Sequence, residues 1–237
     1  MKRFFVMTMM ISAVLPVLLA ALCMLSPARA EVIDRIVAKV NGHVILQSDL
    51  DDALRYEALL SGKPLDQFTD DDRRAVLDRL IDQELLDEQM KSTTFQYASQ
   101  AEAEARVADA RKLYPEAATP AGWQGVLKRF QLNEKDLIAH VEQQIDLTRL
   151  VDARLRPQVQ IDSKSIEAYY RDKFVPQLKQ AGVGEVPLAD VSGKIRELLT
   201  QEKVNQLLVS WLQNLRSESK VIIADANGPG LQGVESQ

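Results

Sequence analysis

Two apolar-rich runs, Val32–Val40 and His43–Leu46, flank Asn41-Gly42 near the start of the chain. Asn-Gly between such runs predicts a β-hairpin, because both central positions of a type I′ turn need positive φ. Ser48 reads as an N-cap for a first helix over about Asp49–Leu60, which Gly62-Lys63-Pro64 stops. Beyond it the apolar spacing is almost entirely helical. Thr69 starts a helix to about Lys91, with Val76, Leu77, Leu80, Ile81, Leu85, Leu86 and Met90 on a wide buried face. Asp70-Asp71-Asp72 suit the positive end of its dipole.

Gln100–Leu113 is polar and alanine-rich and reads as a solvated, loosely packed arm, with a specific interface as the other reading. Thr119-Pro120 opens a short helix carrying Trp123, Val126, Leu127 and Phe130. Asn133 caps another that runs to about Arg156. Ser163–Phe174 holds the Tyr169-Tyr170 pair, and Val175–Pro187 reads as a connector. Leu188–Ser219 is the last long helix, and Lys220–Ile223 a short strand. Ala224–Gln237 reads as a disordered tail. A lone hairpin is marginal in water. Val221–Ile223 is therefore expected to pair with it, closing both chain ends in a small antiparallel sheet. The expected fold is mainly α, a single helical module over 31–223 with the terminal helix (188–219) packing back on the N-terminal part.

The first thirty residues change the picture. Lys2-Arg3, an apolar stretch to Leu25 and small residues at Ala28 and Ala30 form a secretory signal, with cleavage between Ala30 and Glu31. An uncleaved anchor is the alternative, since the stretch is long enough to span a bilayer. A lipidated Cys23 is disfavoured by Leu22 just before it. Cleavage removes Lys2, Arg3, Arg29 and the one cysteine, so the mature chain is more acidic and free of thiols. It is expected to be periplasmic, with no stable membrane insertion, and held by its core without disulfides.

Composition then excludes several classes. The 237 residues carry 29 Lys+Arg against 34 Asp+Glu and no basic tract, which argues against nucleic-acid binding. Two histidines and one cysteine are too few ligands for a typical zinc or iron–sulfur site, so no metal and no cofactor is expected. His43 and His140 read as surface histidines. No phosphate-binding loop and no nucleophile constellation is present. No catalytic residue is identified, and the chain is not expected to be an enzyme.

Three stretches carry a resemblance. Ile33–Asp49 (IDRIVAKVNGHVILQSD), Val76–Met90 (VLDRLIDQELLDEQM) and Val191–Ile223, with its Trp211, are similar to the SurA family of periplasmic chaperones. Members usually carry parvulin-type prolyl-isomerase domains between the Tyr-Tyr helix and the terminal helix. The short connector after Phe174 has no room for one. The resemblance therefore implies the chaperone module alone, a holdase without isomerase activity whose partners are unfolded outer-membrane or secreted polypeptides. Such a holdase works by reversible mass action in an apolar groove. The large apolar residues Tyr56, Met90, Trp123, Leu127, Phe130, Tyr169 and Tyr170 are the groove candidates. Each also fits an ordinary core position, and helical stripes alone do not separate the two. The alternative is a structural or assembly subunit docking one dedicated envelope partner. A domain-swapped homodimer is compatible with the glycine-bearing connector.

Overall fold

The computed structural model describes residues 34–91 and 96–224. The signal-like segment with Ala28, Ala30 and Glu31 lies outside these residues, as does the tail from 225 onward.

The described residues open with β1 (Ile36–Val40) and β2 (His43–Leu46), joined by a two-residue turn. Asn41 (φ 48°) and Gly42 (φ 104°) both take the positive φ that a type I′ turn demands. β2 runs directly into α1 (Gln47–Ser61) with Leu46 as the N-cap, which corrects the expected cap at Ser48. Because no linker separates strand from helix, the cap falls on the last strand residue. The Asp49 carboxylate reaches back to accept from the Leu46 N–H at 2.8 Å.

α2 (Asp70–Lys91) begins as its sequence indicates. The Thr69 hydroxyl accepts from the Asp72 N–H at 3.2 Å, and Asp72 Oδ2 accepts from the Thr69 N–H at 2.8 Å. α3 (Gln100–Arg111) is not a loose arm. It packs along the later helix α5, burying Ala103 and Val107, and is pinned at its start by a Ser99/Glu102 capping box and an Arg149–Glu102 ion pair. Small residues allow this close approach while contributing little apolar signal, which is why the sequence reads as solvated.

α4 (Pro120–Arg129) starts at its Thr119 cap, and α5 (Glu134–Leu155) at its Asn133 cap. The Tyr-Tyr segment differs from expectation. α6 (Ser163–Tyr169) passes through a π-turn at Tyr170–Phe174 into α7 (Val175–Gln180), so the first part of the expected connector is helical. Pro176 lies just after the π-turn, as the second residue of α7. α8 (Leu188–Glu218) then spans 31 residues and ends at β3 (Val221–Ile223).

The sheet order is β2-β1-β3, antiparallel throughout, with Val40 opposite both His43 and Val221. The fold is mainly α, with a small sheet made from the hairpin and the C-terminal strand. The main core joins the sheet to α1, α2, α4 and α5 and to the C-terminal half of α8 through Leu215. The N-terminal half of α8 serves a second cluster, where Val191 and Ile195 pack with Ile166 of α6. No helix among the described residues is long and apolar enough to cross a membrane.

Candidate functional site

An open groove of about 870 Å³ runs between α1, α2, α5 and α8. Its apolar walls come from Leu80 on α2, Leu147 and Val151 on α5, and Leu208 and Leu212 on α8, with Ala53 and Tyr56 from α1. The apolar stripes of four helices converge on this face, and among the described residues no fifth element covers them. Polar side chains form the rim: Glu57, Arg79, Gln83, Gln144, Thr148, Asp152, Gln201 and Asn205. Ion pairs link the walls to one another. Arg79 of α2 pairs with Glu57 of α1, and Arg216 of α8 donates to Asp82 of α2 at 2.6 Å. Arg156, just after α5, pairs with Glu197 of α8 at 2.8 Å.

One feature of the floor is chemical as well as apolar. The rings of Tyr56 and His140 stack with centroids 3.9 Å apart and planes 12° from parallel. Burial depresses the imidazole pKa of His140 to about 4. Burial also raises the phenol of Tyr56 to about 12, helped by the negative charges of Asp52 and Asp136. Both rings are therefore uncharged near neutral pH, and the groove lining includes an uncharged aromatic stack.

A smaller acidic pocket adjoins the same pair of rings, lined by Asp49, Asp52, Glu84 and Asp87. Burial raises the Asp87 pKa above the ordinary carboxylate value, against the effect of a 2.8 Å hydrogen bond from Gln143. Its Oδ1 is buried with no hydrogen-bond partner.

The residues expected to line a groove separate into four groups. Tyr56 lines it. Trp123, Leu127 and Phe130 are 1%, 1% and 4% exposed and belong to the main core, which corrects their placement in a groove. Trp123 is fixed there by a 2.9 Å hydrogen bond from its Nε1 to Glu134, and Tyr114 meets Phe130 edge-on. The short α4 has to bury its whole apolar face to dock at all, and its stripe is consumed in doing so. Met90 packs partly against the main core and lines a separate small hollow with Tyr97 and Gln143. Tyr169 and Tyr170 belong to the second cluster, and the Tyr170 hydroxyl donates to the Val186 carbonyl at 2.8 Å.

Leu80, Leu147, Val151, Leu208, Leu212 and His140 line the groove without standing out in the sequence. The leucines and Val151 follow the same helical spacing as buried neighbours, so nothing in one helix marks them as groove-facing. His140, expected at the surface, is half-buried against Tyr56.

The architecture agrees with what comparison with known families shows. The model of the SurA-like N-terminal domain matches residues 1–151, from the N-terminus through most of α5. No curated protein matches the chain. With that match covering more than half of its length, the chain belongs to the SurA-like N-terminal domain family.

Proposed function

We propose that the protein is an ATP-independent periplasmic holdase that takes apolar segments of unfolded outer-membrane or secreted polypeptides into the groove between α1, α2, α5 and α8, without prolyl-isomerase activity. The groove itself carries the reading: about 870 Å³ open to solvent, walled by aliphatic side chains from four helices and rimmed by charges. A contiguous concave apolar surface on an otherwise charged protein is what reversible binding of unfolded chain requires. The relationship to the SurA-like family supports a role in binding unfolded polypeptides. The leader-like start, with Ala28 and Ala30, supports export. Affinity for a client stabilises it against aggregation by mass action, with no nucleotide needed.

The test is light scattering of an unfolded outer-membrane β-barrel protein diluted from denaturant, with and without the purified protein. A longer lag at equimolar ratio, repeated with unrelated unfolded clients, is the expected result. An unchanged lag overturns the proposal. Protection of one client alone would favour a subunit dedicated to a single envelope partner.

A further inference from the structure

The Asn41-Gly42 turn places His43 at the head of β2, over the side of α2 that carries Glu84 and Glu88. Those two glutamates are one helical turn apart and share a face. His43 Nδ1 lies 3.5 Å from Glu84 Oε1 and 3.5 Å from Glu88 Oε1. One ligand atom from each of the three residues falls within 4.8 Å of the other two. We propose that His43, Glu84 and Glu88 bind a single divalent transition-metal ion of the zinc class.

The distances favour a shared ion over hydrogen bonds. An N–H···O bond has its usual length at about 2.9–3.0 Å, so the imidazole is too far from both carboxylates to be bonded to either. A tetrahedral centre with bonds of about 2.0–2.1 Å sets its ligand atoms roughly 3.4 Å apart. The two imidazole–carboxylate edges have that length. Among the described residues neither glutamate is ion-paired with a lysine or arginine, so two carboxylates converge on one imidazole.

The surroundings have the form of outer-shell support. Asn41 Nδ2 donates to Glu88 Oε2 at 2.7 Å while the other oxygen, Oε1, is the one nearest His43. Asn41 is itself held by Ser219 Oγ at 3.0 Å and by the Lys220 N–H at 2.8 Å. The donor set of one imidazole and two carboxylates suits zinc, cobalt or nickel and disfavours calcium and magnesium, which take oxygen ligands. The His43 side chain is 54% exposed, so an ion enters freely and water completes its coordination. A bound ion would clamp the hairpin turn to α2 and, through Asn41, to the junction of α8 and β3. Binding to the folded chain alone raises its stability.

The experiment is calorimetric titration of the EDTA-dialysed protein with zinc chloride, paired with thermal melts. One ion per chain and a higher Tm are expected, reversed by EDTA. His43→Ala and the pair Glu84→Gln/Glu88→Gln should each weaken binding by more than about tenfold. His140→Ala, which removes the other histidine, should leave binding intact. Circular dichroism without zinc separates loss of the site from loss of the fold, and the exposed His43 makes its variant the better behaved. No heat and no Tm shift at tenfold excess overturns the proposal. Undiminished binding by His43→Ala does the same, as does an equal response to calcium.

Discussion

Tyr56 and His140 stack in the groove floor, and burial keeps the imidazole neutral until the pH falls to about 4. An unfolded histidine titrates near 6.5. Between those values the unfolded chain holds the extra proton, so this residue makes stability fall as the pH drops from about 6.5 to about 4. Above that window its contribution is constant. His140→Gln is expected to flatten the decline. Urea unfolding of both proteins at several pH values checks it, and equal slopes would refute the assignment. The two histidines are opposite in setting. His43 faces solvent beside two glutamates, whereas His140 lies under an aromatic ring. The Asn41-Gly42 turn beside His43 marks it as lying at a hairpin end, but nothing adjacent to His140 in the chain marks its burial.

Among the elements, α4 shows how a local signal and a tertiary constraint combine. Thr119 and Pro120 announce its start, and Trp123, Val126 and Leu127 its buried face. Its close docking rests on Gly122. A Cβ there would lie 1.8 Å from the Glu116 carbonyl oxygen and 2.8 Å from the carbonyl carbon, both in rigid backbone. Gly122→Ala is expected to cost about 3 kcal/mol or more, through displacement of the Pro115–Ala118 turn. Gly125→Ala, one turn along the same helix, meets nothing within 4 Å and should gain up to about 1 kcal/mol from helix propensity. Denaturant midpoints of the two variants should therefore move in opposite directions. Caps at Thr69, Thr119 and Asn133 are readable because a cap is made by residues within a few positions of one another. The packing of α3 on α5 is not local, so the sequence leaves a solvated arm and an interface both open there, and the π-turn at Tyr170–Phe174 is not read from it.

At the scale of the molecule, client protection and stability should respond to different leucines. Leu212 lines the groove and is only partly buried, whereas Leu150 on α5 is 2% exposed in the main core. Leu212→Glu is expected to shorten the protected lag of an aggregating client several-fold with little change in Tm. Leu150→Ala should cost about 2–5 kcal/mol and lower Tm without acting on the groove directly. Light scattering and thermal melts on the same preparations separate the two effects. A Leu212→Glu protein that protects as well as the parent would move the client site elsewhere.

The pairing of β1 with β3 shows what sequence determines here. The Asn-Gly turn, the β-rich triplet Val221–Ile223 and the helical periods between them are short-range properties, and they are enough to give a mainly α fold closed by a three-stranded sheet. The same patterns say that a helix face is buried without saying against what. Whether Trp123 and Leu212 lie in core or groove depends on which neighbouring helix covers each one. The neutrality of His140 and the convergence of Glu84 and Glu88 on His43 depend likewise on residues far apart in the chain. Burial and electrostatic environment are set by proximity in space, and that the tertiary structure alone decides.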